Sequence, residues 1–160
     1  MTRAPQKPRK RGEIPLLLAM TFRRMTDHVH ARLAEEGREP LRPAHGFTFR
    51  FLADRDDATV VDLAAHLGVT KQAASQIVTE LEDWGYVERR AHPTDGRARA
   101  IALTRRGRAY IELATALWGE VEDRWAQVIG PRRLQQIHDD LAAYVAGAGE
   151  GTPPPLRPVW

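Results

Sequence analysis

The residues of this chain that could do chemistry are gathered in two short stretches. The first is KQAASQIVT at residues 71–79, where Lys71, Gln72, Ser75, Gln76 and Thr79 stand among apolar residues. On a helix, Gln72, Ser75, Gln76 and Thr79 share one continuous face, because residues three, four and seven apart lie above one another. No acid follows until Glu80 and Glu82. Amides and hydroxyls with one lysine suit the edges of bases in a DNA major groove. Gln pairs with adenine, Ser and Thr reach either purine, and Lys favours guanine or phosphate. Thr70 sits where a helix would begin and offers free backbone N–H groups to a phosphate. The second stretch is RRAHPTDGRARAIALT at residues 89–104, with Arg89, Arg90, Arg97 and Arg99 crowded around a Pro-Thr-Asp-Gly turn. Like charges held this close repel, so the arrangement points to a polyanion opposite.

Covalent chemistry finds no comparable footing. The chain has no cysteine, hence no thiolate nucleophile, disulfide framework or Cys-based metal site. There is no HExxH, no Gly-rich phosphate loop and no serine in a nucleophile-elbow setting. The six histidines are scattered, and His28 and His30, two apart, face different sides of a helix. His138-Asp139-Asp140 reads as a hydrated helix face. The expectation is a protein that is not an enzyme and takes no metal or cofactor.

Charge distribution says more than the net charge of +3. Residues 1–12 hold five basic groups and no acid, and residues 89–108 hold seven arginines against Asp95 alone. Residues 110–150 instead carry seven acids against three arginines. This asymmetry predicts a basic face for a polyanion and an acidic body elsewhere. No run of eighteen apolar residues is present, and IPLLLAM is too short for a secretory core and runs into Arg23-Arg24. The expectation is a cytoplasmic protein with no membrane partner.

The elements that must position these stretches follow from periodicity. Leu18, Phe22, Met25, Val29 and Leu33 mark one face of a helix that starts near Ile14, with Pro15 in its first turn and Gly37 as its stop. A weaker helix begins near Pro43, with Ala44, Phe47 and Phe51 on one side. Thr59 with Asp62 reads as a capping box for a short helix to Leu67, and Gly68 suits a left-handed residue after it. Thr70 caps the next helix, whose stripe is Ala74, Ile77, Val78 and Leu81, ended by Gly85. Two short helices joined by a three-residue turn form a helix-turn-helix, with Ala64-Ala65 small enough for a close crossing. Residues 86–91 and 98–103 read as a β-hairpin. Thr104 caps a long helix carrying Ile111, Ala114, Leu117/Trp118, Val121, Trp125 and Val128, which Gly130-Pro131 breaks before a last helix with Leu134, Ile137, Leu141 and Tyr144/Val145.

The order predicts a mainly α (α+β) fold, a winged helix-turn-helix core flanked by N- and C-terminal dimerisation helices. The helix from Thr70 is the recognition helix. The hairpin is a wing falling over the flanking minor groove, where Arg97 at the tip and Arg99 behind it meet a concentrated negative potential. Asp95 and Gly96 shape the tip. Arg89 and Arg90 are candidates for phosphate contact or for an internal ion pair.

The array LAAHLGVTKQAASQIVTELEDWGYVERRAHPTDGRARAIALTRRG resembles the core of the multiple antibiotic resistance regulator (MarR) family. The matching motifs are Leu81 to Arg89, Asp95-Gly96-Arg97, and Leu103-Thr104-Arg105-Arg106-Gly107, and the likeness extends over roughly residues 14–146. One departure is Arg42-Pro43, where many relatives carry a threonine cap. The resemblance implies a homodimeric transcriptional regulator, more often a repressor, that binds a pseudo-palindromic operator and is released by a small ligand. From the residues themselves, the wide apolar stripes of the first and last two helices also call for a twin subunit, because exposed on a monomer they would form an unusually large patch. The domain division expected is a disordered basic arm 1–12, an N-terminal dimerisation helix 13–40, the DNA-binding domain 41–104, C-terminal dimerisation helices 105–146 and a disordered tail 147–160. Expected partners are double-stranded operator DNA, a second copy of the chain, and a small aromatic or anionic effector. Candidate lining residues for the effector are Phe22, His45, Phe47, Phe51 and Trp118. The alternative is a winged helix used for protein contact without sequence-specific DNA binding.

Overall fold

A computed structural model of the chain describes residues 10–147. The expected basic arm (but for residues 10–12) and all of the expected tail except residue 147 lie outside the described residues. The elements run α1 (Glu13–Glu35), α2 (Pro43–Leu52), α3 (Val60–Leu67), α4 (Lys71–Asp83), β1 (Val87–Ala91), β2 (Arg99–Leu103), α5 (Arg105–Ile129) and α6 (Pro131–Gly147). The fold is mostly helical with a two-stranded antiparallel sheet, a winged helix with helices before and after it.

Local sequence explains most of these bounds. The Thr59 hydroxyl accepts from the Asp62 N–H, and an Asp62 carboxylate oxygen accepts from the Thr59 N–H at 2.9 Å, the reciprocal capping expected for α3. Gly68 ends that helix at φ 62°, a left-handed conformation that a Cβ disfavours. The Thr70 hydroxyl accepts from the Ala73 N–H and starts α4, and the Thr104 hydroxyl accepts from the Gly107 N–H and starts α5. Ala74, Ile77, Val78 and Leu81 of α4 are all buried, as their spacing predicts. Of the small pair Ala64-Ala65, only Ala64 is buried; Ala65 faces outward.

The strands pair from Val87 opposite Leu103 to Ala91 opposite Arg99. β2 is buried on both faces over Ala100–Leu103, since α2, α3 and α5 all pack on it. Its Ile101 N–H donates to the Ala58 carbonyl at 2.8 Å, so the segment before α3 lies along the sheet edge. α5 approaches the base of the wing so closely that a Cβ on Gly107 would stand 2.2 Å from the Tyr86 carbonyl oxygen.

A single apolar cluster joins all three helices of the winged core to Val29 and Leu33 of α1 and to Tyr110, Leu117 and Val121 of α5. Of the flanking helices, α1 and α5 therefore bury part of their length within the chain, more than their stripes alone suggest, whereas α6 buries no residue. What stays exposed is the first half of α1 (Ile14, Leu16, Leu17, Leu18, Met20), Val128 of α5, and Leu141, Tyr144 and Val145 of α6. The buried side of α2 also differs from the expected one. It consists of His45, Thr48, Phe49 and Leu52 with Phe51, because α2 is packed between α1 and α5 on one flank and α3, α4 and β2 on the other. Among the described residues no helix is long and apolar enough to cross a membrane.

Candidate nucleic-acid interface and adjoining cavity

With its apolar stripe turned inward, α4 presents Lys71, Gln72, Gln76 and Thr79 to solvent and leaves Ser75 half-buried. Lys71, Gln72, Ser75 and Gln76 make no side-chain hydrogen bond or ion pair among the described residues. Thr79 is different, because its hydroxyl accepts from Arg89 Nη2 at 3.2 Å. Of the three acids that follow on α4, Glu80 and Glu82 are engaged, while Asp83 at its end is exposed and has no ion pair among the described residues. Glu82 accepts from the Arg89 backbone N–H at 3.2 Å and pairs with its guanidinium. Glu80 is held by Arg42 and by His45, at 2.9 Å from His45 Nε2. Over Lys71–Thr79 the exposed face of α4 is thus left with free amides, the free Ser75 hydroxyl, one lysine and no carboxylate, the unpaired Asp83 lying one turn further on.

The wing adds two free cations. Arg97 and Arg99 are exposed, and neither guanidinium has a partner among the described residues. Arg89 and Arg90 are committed, Arg89 to Glu82 and Arg90 to Glu88. The tip is shaped by Asp95, whose carboxylate accepts from the Arg97 N–H at 2.9 Å while its carbonyl accepts from the Ala98 N–H at 3.0 Å. His92 shares this task unexpectedly, since its Nδ1 accepts from the Asp95 N–H at 3.1 Å. Gly96, expected to shape the tip, is not required there. It has no positive φ, and a Cβ on it would meet nothing within 4 Å.

The base of the wing is tied to the rest of the chain by a cluster the sequence did not disclose. Tyr86 donates its hydroxyl to Glu39, Arg106 pairs with the other Glu39 oxygen, and the Arg106 guanidinium lies 4.6 Å above the Tyr86 ring. Arg106 also donates to the Trp84 carbonyl at 2.6 Å. Partial burial raises the Glu39 carboxyl, but the hydrogen bonds from Tyr86 and Arg106 outweigh it and hold the group below its ordinary range.

Between α1, α2 and α5 lies a cavity of about 360 Å³. Phe22, Phe47 and Trp118 form part of its wall, the Phe22 ring nearly parallel to both others at centroid distances of 6.3 and 6.5 Å. Thr26 contributes a buried hydroxyl that has no hydrogen-bond partner among the described residues. His30 is also on the wall; burial lowers its pKa against the opposing pull of Asp27. Arg42 and Arg50 supply the cationic part of the lining.

His45 and Phe51, expected among the lining residues, are elsewhere. His45 is wholly buried on the other side of α2, its Nδ1 accepting the Arg42 N–H at 2.9 Å. That bond leaves the ring proton on Nε2, which donates to Glu80. Burial lowers the His45 pKa and the Glu80 hydrogen bond only partly restores it. The Phe51 ring stacks on His66 at 4.6 Å, in the contact between α2 and α3.

Residues 40–98, which carry α2, the helix-turn-helix and most of the wing, match the MarR family model. By that segment the chain is similar to the MarR family. The HTH-type transcriptional repressor Rv2887 of Mycobacterium tuberculosis is 38% identical over 68 residues, covering 42% of this chain and 49% of that protein. The chain thus spans about half the length of the curated relatives it matches first. Solved structures extend the likeness beyond the matched segment. RV1404 of M. tuberculosis superimposes with a TM-score of 0.71 at 22% identity, over 91% of this chain and 100% of the other. Rv2887 in complex with salicylic acid gives 0.62 at 26%, over 88% and 98%. A mutant of the S. aureus protein MepR bound to an oligodeoxyribonucleotide gives 0.58 at 21%, over 84% and 97%. The MarR fold therefore covers α1, α5 and α6 as well as the winged core.

Proposed function

We propose that this chain is a MarR-family, sequence-specific double-stranded DNA-binding transcriptional regulator, a ligand-responsive repressor that grips a pseudo-palindromic operator as a homodimer. The observation that carries the reading is the pairing pattern around α4. Glu80, Glu82 and the wing's Glu88 are each neutralised by an internal partner, leaving Asp83 at the end of α4 as its unpaired acid, while among the described residues Gln72, Gln76, Arg97 and Arg99 are left without a partner. Here Thr70, Lys71, Gln72, Ser75, Gln76 and Thr79 meet the major groove, with Arg97 and Arg99 in the flanking minor groove. Arg89 and Arg90 act chiefly by pairing Glu82 and Glu88. A protein of this kind works in the cytoplasm, on the nucleoid, and is a regulator rather than an enzyme.

Homodimer formation is supported by the apolar side chains left uncovered on α1 and α6, at the two ends of the chain's helical frame. A twin subunit over them sets two recognition helices about one DNA turn apart. The domain division that fits is residues 41–104 for DNA and the flanking helices for the second copy. The effector is a small aromatic or anionic molecule in the cavity of Phe22, Phe47 and Trp118, in keeping with the salicylic acid complex of Rv2887.

The test is selection of bound genomic DNA fragments by the full chain, followed by titration of the best fragment at two salt concentrations. With roughly 6–10 phosphates contacted, affinity falls by about 10³–10⁵ between 50 and 200 mM salt. No enriched fragment, or binding indifferent to salt, would favour a winged helix used for protein contact.

A further inference from the structure

Arg42 belongs to two places at once. Its side chain is part of the cavity wall beside Pro43 and Phe47, and its Nη2 donates to Oε2 of Glu80 on α4. The same Glu80 oxygen accepts from Nε2 of the wholly buried His45. Among the described residues these are the only polar side-chain links between the start of α2 and α4. Burial raises the Glu80 carboxyl, yet His45 and Arg42 together hold it below its ordinary range, so it is ionised and competes for cations. The pair is not locked away from water. The Arg42 and Glu80 side chains are 59% and 40% exposed, and exposed ion pairs of this kind are readily exchanged for another anion.

The cavity's chemistry favours such an anion. Its walls are aromatic, and among the described residues Thr26 offers a buried hydroxyl without a partner and the second guanidinium, Arg50, has no side-chain partner. A carboxylate entering between the two arginines finds one free and one committed to the DNA-facing helix. A guanidinium binds a carboxylate in a planar two-point arrangement that it cannot give in full to two carboxylates at once.

Resting on the DNA-binding, ligand-responsive reading above, we propose that Arg42 couples the cavity to α4: an aromatic carboxylate in the cavity competes with Glu80 for the Arg42 guanidinium and loosens the link that holds α4 in its DNA-facing orientation. Arg42 is a positioning residue for α4 and a binding residue for the ligand. Coupling of this kind is reciprocal, so whatever weakens the Arg42–Glu80 pair must strengthen ligand binding.

The experiment uses salicylate, with uncharged salicylamide as its neutral counterpart, on the full chain and on Glu80→Gln. Glutamine keeps an oxygen for the His45 Nε2–H but removes the charge that holds Arg42. Calorimetry should show Glu80→Gln binding salicylate about three- to fivefold more tightly than the parent, with salicylamide unaffected. Amide exchange should show salicylate speeding exchange in α4 around Thr79 to Glu82 in the parent and leaving Glu80→Gln unchanged. Equal or weaker salicylate binding by the variant overturns the proposal, as does an α4 that ignores the ligand or a parent that does not bind it. Should Glu80→Gln fold poorly, Arg42→Gln serves instead, and retention of parental salicylate affinity there is equally fatal. Neither arm needs DNA. Failure of the DNA-binding reading shows separately, as the absence of any enriched genomic fragment.

Discussion

Replacing Gly107 with alanine tests how the wing is fixed to the rest of the chain. Gly107 is buried in the first turn of α5, and the added Cβ would stand 2.2 Å from the Tyr86 carbonyl oxygen, 3.2 Å from its carbon and 3.1 Å from Leu103 Cδ2. Ordinary contact needs roughly 1 Å more from the oxygen, so backbone must move. That oxygen accepts from the Thr104 N–H at 3.0 Å and from the Thr104 hydroxyl at 3.1 Å, the two bonds that join the start of β1 to the cap of α5. Overpacking costs about 1–3 kcal/mol and each weakened hydrogen bond about 1 kcal/mol, while alanine's better helix propensity returns about 1 kcal/mol. The net loss expected for Gly107→Ala is about 2–4 kcal/mol, which lowers Tm by about 6–12 °C for a chain of this size. Thermal unfolding followed by far-UV circular dichroism measures it. A variant as stable as the parent would show that α5 does not approach the wing as described, and the placement of Arg97 and Arg99 would lose its anchor.

Other expectations concern DNA, assembly and acid. Arg97→Ala weakens operator binding in a fluorescence anisotropy titration without altering Tm; unchanged affinity removes the wing from the mechanism. Gln72→Ala or Gln76→Ala costs about 1–3 kcal/mol at one half-site position and relaxes base preference there, and uniform weakening across sequences would mean that neither reads bases. Sedimentation gives a mass near twice the 18.0 kDa of the chain, and a monomer at micromolar concentration contradicts the two-half-site model. Burial lowers the pKa of His30, His45 and His66, so the unfolded chain takes up protons near pH 6.5 that the fold resists. Stability from these groups is present above that pH and is progressively lost as pH falls below it. His45→Gln should flatten part of that slope in Tm against pH; an identical profile would show that His45 is not the buried neutral group its geometry requires.

The contrast between α2 and α4 shows where sequence reasoning stops. In α4, the cap at Thr70, the buried stripe and the exposed amides all follow from spacing within a single helix. For α2, the start at Pro43 is legible, but its buried side is not, since the helix has neighbours on two flanks, with Phe47 against Phe22 of α1 and Phe51 against His66 of α3. His45 looked like a cavity residue by type and position. Its actual partner, Glu80, lies 35 residues away.

Thus the sequence by itself determined the helix-turn-helix, the paired wing, the exposed arginines at its tip and the start of α5. Each depends on residues within a few positions of one another, through capping, periodicity and turn chemistry. Tertiary structure alone decided which charges are spoken for. Arg89 with Glu82, Arg106 with Glu39 and Tyr86, Arg42 with Glu80, and the cavity between α1, α2 and α5 arise only when distant segments are packed together. The strength and partner of a charge depend on distance and burial in space, which spacing along the chain does not encode.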